Sequence, residues 1–221
     1  MRIILLRHGE SLGNVDELAY CRTPDHALPL TPLGEEQAVA AGEVVRGLLG
    51  SEPVAAYVSP YRRAVRTFEL LGLDSVTRYV PEPRVREQDW GNLQDPTEQA
   101  EQKKLRHEYG HFFYRLPHGE SGADVDDRVA SFLAELRDRV AREPGHPDTV
   151  LIVSHGLTTR LLCRRAFSWS IDLFESLSNP VHCDIRVLTA TGDQWSLDRP
   201  FEQWRASPDG TTQARPRDRQ R

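Results

Sequence analysis

Cysteine is scarce in this 221-residue chain, and Cys21, Cys163 and Cys183 are odd in number, far apart and without a C-x-x-C pair. A dense disulfide framework is excluded, and a reducing, cytoplasmic setting is the simplest expectation. Positive charge is also in short supply. Lys and Arg total 28 against 33 Asp and Glu, a formal net charge of −5, which argues against nonspecific nucleic-acid binding. Any anionic ligand must therefore be met by a local cluster. No apolar run approaches the roughly 20 residues of a membrane-spanning helix, so no membrane partner is expected. A strand beginning at Arg2 leaves no room for a secretory leader. Nothing in the sequence specifies an oligomeric state.

What is present reads as alternating strands and helices. Ile3 to Leu6 is a short apolar run that stops at Arg7-His8-Gly9, as a fully covered parallel strand would. After it, the polar stretch through Tyr20 to Leu30, with Pro24 and Pro29, reads as loop. Thr31 and Pro32 are a natural N-cap and first helical residue, and Ala38, Ala41, Val45 and Leu48 recur at helical spacing until Gly50. Val54 to Val58 is a second strand, with Ser59-Pro60 expected to cap the helix that follows. Val76 to Val80 is a third strand, 86–92 a structured loop, and Pro96 to Tyr109 a polar helix. Ser121 and Asp124 form a capping box ahead of the stripe Val125, Val129, Phe132, Leu136 and Val140. Thr149 to Val153 runs into Ser154-His155-Gly156 and another helix. Cys183 to Thr189 and Gln194 to Leu197 complete the strands, the last at an edge. From Ser207 the chain has no large apolar residue, so 1–206 is expected to be one α/β domain and 207–221 a disordered tail.

Two buried-type strands end in His-Gly, which brings His8 and His155 together if those strands are neighbours in one parallel sheet. Paired histidines can hold a metal, but the companions here are arginines, which repel a cation and attract an oxyanion.

Arg7-His-Gly-Glu-Ser11 resembles the RHG signature of the histidine phosphatase superfamily, the phosphoglycerate-mutase-like family. The likeness continues in order through Leu30-Thr-Pro-Leu-Gly34 with Gln37, Ser59-Pro-Tyr-Arg-Arg-Ala-Val-Arg-Thr67, Arg86-Glu-Gln-Asp-Trp-Gly91, Gly119-Glu-Ser121 and Ser154-His-Gly156. It implies a three-layer α/β/α sandwich with a largely parallel central sheet. It further implies a phosphatase acting on a small phosphorylated substrate, with neither metal nor cofactor. By the same resemblance His8 is the nucleophile that becomes a phosphohistidine, and Arg7, Arg63 and His155 clamp the transferring phosphoryl group. Glu87 is the proton donor to the leaving group. Asn14 contacts the phosphate pocket, with Ser11 and Gly156 beside it. Arg62 and Arg66 are expected on the helix surface.

The chemistry suits those roles, because phosphoryl transfer needs neutralised, positioned oxygens more than covalent ingenuity. Cationic surroundings should lower the His8 pKa and keep one nitrogen nucleophilic, with an acceptor expected on the other. Glu87 must hold a proton among arginines, which the charge of a bound phosphate would favour.

Three other readings compete. A mutase-type phosphotransferase uses the same phosphohistidine, but such mutases carry Trp where Gly13 stands and a longer segment before the Gly-Glu-Ser turn. A noncatalytic phospho-ligand-binding domain is disfavoured by the retention of His8, Arg63, Glu87 and His155. His107-Glu-Tyr-Gly-His111 spells the H-E-x-x-H zinc signature, yet Gly110 interrupts the helix that this motif needs. The aromatics Phe112 to Tyr114 are candidates for a pocket wall or for core, and His182 stands where relatives often place Asn. Substrate choice is expected in the loops around Tyr20 and from Pro96 to Pro117.

Overall fold

The computed structural model describes residues 1–92, 94–192, 194–210 and 213. Six strands and eight helices follow one another as β1 (Arg2–Arg7), α1 (Leu12–Val15), α2 (Ala19–Arg22), α3 (Pro32–Leu49), β2 (Val54–Val58), α4 (Arg62–Leu70) and β3 (Val76–Pro81), and then as α5 (Pro96–Tyr109), α6 (Gly122–Arg142), β4 (Thr149–Ser154), α7 (Gly156–Phe167), α8 (Ile171–Ser176), β5 (Ile185–Thr191) and β6 (Gln194–Leu197). The strands form one sheet in the order β3-β2-β4-β1-β5-β6. β3, β2, β4 and β1 are mutually parallel, and β5 and β6 run antiparallel at one side. The two strands that end in His-Gly are neighbours, with Arg7 opposite Ser154.

Alternation along the central strands explains why both faces are covered. Ile3, Leu5, Ala55, Tyr57, Val150 and Ile152 point into a core shared with α6, α7 and α8. Ile4, Leu6, Ala56, Val58, Leu151 and Val153 point into the opposite core, closed by α3 and α4. The sandwich therefore has three layers, as expected. Ile4 is wholly buried, and truncating such a residue to Ala costs about 2–5 kcal/mol. No helix among the described residues is long and apolar enough to cross a membrane.

Several local expectations change. The stretch from Glu10 to Leu30 is not plain loop: Ser11 and Asn14 make a reciprocal capping box that starts α1, and α2 follows. Periodicity misses these because four-residue helices carry no repeat. Tyr61, not Ser59, is the N-cap of α4. α3 buries Leu49 and leaves Leu48 partly exposed. In the segment 207–221, Ser207 is buried, and Gln213 exchanges two hydrogen bonds with the backbone of Phe201, at 2.6 and 2.8 Å. The expectation of disorder otherwise falls on 211, 212 and 214–221, which lie outside the described residues.

Candidate active site

The parallel registers of β1, β4 and β2 bring three strand ends to one edge, and the residues that leave them are His8, His155 and Ser59. All three are buried. The His8 and His155 rings meet edge to face with centroids 5.0 Å apart.

Nδ1 of His8 donates to the Gly9 carbonyl at 2.6 Å, the acceptor the sequence did not identify. Its Nε2 therefore keeps a lone pair, which accepts from Arg63 Nε at 3.3 Å. Burial is the main reason the His8 pKa lies well below its ordinary value, and Arg63 and Arg7 push it further down. The arginines were expected to dominate; desolvation leads because the ring sits at the end of a fully covered strand.

Arg63 is held on both sides. Its Nη1 donates to the Asp25 carbonyl and to Asp25 Oδ1, each at 2.7 Å, and its guanidinium lies over the Tyr61 ring at 5.0 Å. Arg7 donates from Nη1 to the Pro180 carbonyl, while its Nε has no partner among the described residues. His155 Nε2 shares a 2.7 Å hydrogen bond with Ser59 Oγ, and its Nδ1 has no partner among the described residues. Ser59 thus orients a site histidine instead of capping α4. The signal lay in its position, since Ser59 directly follows a buried strand as His8 does.

A cleft of about 210 Å³ opens over this edge, and Arg7, His8, Asn14, Arg63 and Glu87 all line it. His155 lies behind His8 rather than on the cleft surface. Ser11 and Gly156 also stand back from the lining. Ser11 is spent on Asn14, with N and Oγ bonded to Asn14 Oδ1 at 2.9 and 2.8 Å. Gly156 opens α7, and a Cβ there would lie 2.8 Å from Asn179 Cγ. With Asn14 Oδ1 committed to Ser11, Asn14 can contribute only as a donor.

Glu87 is half-buried on the loop after β3, with Oε1 accepting from Gln88 N at 3.1 Å and from Thr158 Oγ1 at 3.3 Å. Its carbonyl accepts from Arg128 Nη2 at 3.0 Å. Arg128 in turn pairs with Glu120, which also takes Arg86 and the Asp89 N–H. One half-buried carboxylate therefore pins both ends of the loop that carries Glu87.

A model of the histidine phosphatase superfamily (branch 1) matches residues 3–203. The chain belongs to that superfamily. Phosphoglycerate mutase-like protein AT74 of Arabidopsis thaliana is 46% identical over 212 residues, 89% of this chain and 67% of that protein. Broad-range acid phosphatase DET1 of Saccharomyces cerevisiae is 44% identical over 115 residues, 50% of this chain and 34% of that protein. Among solved structures, a mycobacterial glucosyl-3-phosphoglycerate phosphatase with VO3 superposes with a TM-score of 0.70 at 28% identity, covering 89% of this chain and 96% of that one.

The other segments that resemble the superfamily support the His8 loop. Thr31 Oγ1 donates to Glu10 Oε1 at 2.7 Å, Gln37 Oε1 accepts from Glu10 N at 2.9 Å, and Thr67 Oγ1 accepts from Gly9 N at 3.0 Å. Gly34 permits this approach, since a Cβ there would meet the Glu10 carbonyl oxygen at 2.0 Å.

Elsewhere the structure sorts the remaining candidates. Arg62 is exposed, and Arg66 pairs with Glu35 and Glu69. Phe112 is core and Phe113 is 59% exposed, so neither walls the cleft; the aromatics that do are Tyr20 and Trp90. Tyr20 fills the space beside Gly13, where a Cβ would lie 2.5 Å from its ring. His111 falls beyond the end of α5, and no three His, Cys, Asp or Glu among the described residues cluster as metal ligands. His182 sits with its ring centroid 6.2 Å from that of His8, its pKa lowered to about 4 by burial and by Arg7. Gln99, Lys103 and Arg106 of α5 complete the lining. The sequence read this segment as a polar helix and as a place for substrate choice, without singling out these three residues.

Proposed function

We propose that this member of the superfamily is a phosphomonoesterase that works through phospho-His8. In the first step Nε2 of His8 attacks phosphorus as the bond to the leaving oxygen breaks, and Glu87 gives that oxygen its proton. In the second, water attacks the phosphohistidine, Glu87 takes the water's proton, and inorganic phosphate leaves. The observation that carries this reading is the His8 ring: Nδ1 is spent on a carbonyl, and Nε2 is unprotonated in a cleft between two arginines. Arg7 and Arg63 supply fixed positive charge where the equatorial oxygens would lie, with no metal required. His155, expected beside them, stands behind His8 and off the cleft lining, so its part is to back the His8 ring; burial, Arg63 and His8 hold its pKa down in the free protein.

A mutase-type transfer would require a second substrate hydroxyl to take the phosphoryl group in place of water. The Tyr20 ring against Gly13 fills the space a bulkier residue would use, which favours hydrolysis over that reading. The test is phosphate release from p-nitrophenyl phosphate and a panel of sugar phosphates and phosphoglycerates, with EDTA present. An acid-labile, base-stable phosphoenzyme should form and should vanish in His8→Ala. Retention of turnover in that variant, or interconversion of the two monophosphoglycerates faster than phosphate release, would overturn the proposal.

A further inference from the structure

Gln99, Lys103 and Arg106 recur at intervals of four and three residues, which puts them on one face of α5, and that face lines the cleft holding His8 and Glu87. The two cations differ in how they are compensated. Lys103 Nζ is paired with Glu17 at 2.7 Å on the solvent side. Arg106 has no carboxylate within ion-pair distance among the described residues. Its Nη2 donates to Gln88 Oε1 at 2.9 Å, its guanidinium lies over the Trp90 ring at 5.2 Å, and its Nε is buried without a partner.

Outside the cleft Arg128, Arg164 and Arg186 each have a carboxylate partner. Arg160 has none among the described residues and, like Arg106, keeps a buried Nε without a partner, but it is fully enclosed and gives Nη1 to the carbonyls of Phe174 and Leu177 at the end of α8, whereas Arg106 faces the cleft. Of the three arginines in the cleft, Arg63 has Asp25, whereas Arg7 and Arg106 have none. Burial pulls the Arg106 pKa down, with Glu87 and Glu175 opposing it, so the guanidinium is kept charged and partly desolvated. A desolvated cation without a counter-charge is costly unless a ligand supplies one.

Position indicates which part of the ligand that is. A phosphoryl group at His8 falls to Arg7 and Arg63. Arg106 is held by Gln88, the residue next to the proposed leaving-group acid. We propose that Arg106, assisted by Lys103, binds a second anionic group, a carboxylate or a phosphate, carried by the leaving group of the substrate. This rests on the phosphatase reading for the direction of the substrate in the cleft. Trp90 and Gln88 hold the guanidinium fork in place, and Lys103 can leave Glu17 at little cost because that pair is exposed.

Matched substrates test it. 3-Phosphoglycerate and glycerol 3-phosphate differ by a carboxylate, and 1,3-propanediol bisphosphate and its monophosphate by a phosphate. In the native protein kcat/KM should favour the doubly anionic member of at least one pair by about 10- to 100-fold, the scale of a charge-assisted hydrogen bond. The pair that shows the preference identifies the anion. Arg106→Gln should collapse that ratio and Arg106→Lys should restore part of it. A strut of purely structural importance would instead lower both members alike. Equal kcat/KM within both pairs in the native protein, or a ratio unchanged by Arg106→Gln, overturns the proposal. Calorimetric binding of 3-phosphoglycerate and glycerol 3-phosphate to the His8→Ala protein separates the two readings. A binding difference that Arg106→Gln removes, in a protein that hydrolyses nothing, would retain the second-anion site and reject the hydrolase. His8-dependent hydrolysis of p-nitrophenyl phosphate without any such difference would do the reverse.

Discussion

The cleft has two walls built by different means. On one, Arg7 and His8 stand at the end of β1, backed by His155 and Ser59 at the ends of β4 and β2, strands whose central residues are wholly buried on both faces. On the other, Tyr20, Trp90, Gln99, Lys103 and Arg106 come from α2, α5 and the loop after β3. Gln99 is the one residue of α5 that is fully buried, and Leu105 and Tyr109 stay 38% and 71% exposed. That helix is held by its Asp95 cap and by polar contacts such as Lys103 to Glu17 and Tyr114 to Gln102. The strand wall is therefore positioned by the core and the helical wall by surface chemistry. On the proposed reading, groups that touch the phosphoryl centre gain from rigid placement, whereas groups that choose the leaving group can vary without endangering the fold.

The largest effect that would sharpen this contrast is expected at Glu87, which sits where the walls meet. Glu87→Gln should lower kcat on an alkyl phosphate by about 10²- to 10⁴-fold and on p-nitrophenyl phosphate far less, because an activated leaving group needs little protonation. Steady-state kinetics on both substrates check it, and equal losses would remove Glu87 from the role of acid. Next in size, hydrogen exchange should separate the walls directly. Amides of α5 should exchange at least about 10³-fold faster than those of β1 and β4, since α5 can open without exposing the core. Equal protection would break the comparison.

A smaller effect belongs to Ser59→Ala, which leaves His155 Nε2 buried without a partner. The cost should be about 1–3 kcal/mol in stability, seen as a lower Tm, together with a roughly tenfold loss in kcat/KM. A change in Tm alone would reduce Ser59 to a packing role.

The last expected effect is on the pH dependence of stability and leaves turnover aside. His8, His155, His111 and His182 all have folded pKa values below the ordinary 6.5, those of His111 and His182 reaching about 3 and about 4. Below pH 6.5 the unfolded chain binds protons that the folded chain refuses, so stability falls as pH falls, by up to about 1.4 kcal/mol per pH unit for each group. His182→Asn should remove its share of the slope between pH 6.5 and 4, as measured by denaturant titration. An unchanged slope would place the acid sensitivity elsewhere.

How much of this could be read beforehand follows the same division. The strand runs, the Ser121–Asp124 capping box and the two His-Gly endings were legible because strong local patterns encode them. The endings brought His8 and His155 together only on the condition that β1 and β4 are neighbours, and the sheet meets that condition. The short helices α1 and α2 were not legible, nor was the pairing of Ser59 with His155, since the first lack a period and the second spans 96 residues. Phe112 and Phe113 show the limit of composition: adjacent aromatics went to core and to solvent.

By itself the sequence determined which groups could handle a phosphoryl anion, because Arg, His and Glu carry that chemistry wherever they stand, and it determined the strands that hold them. Only the tertiary structure decided that Arg63 would share Asp25 while Arg106 would keep its charge unpaired over Trp90. Compensation of a charge depends on what folding brings within a few ångströms of it, and no local pattern in the chain records that distance.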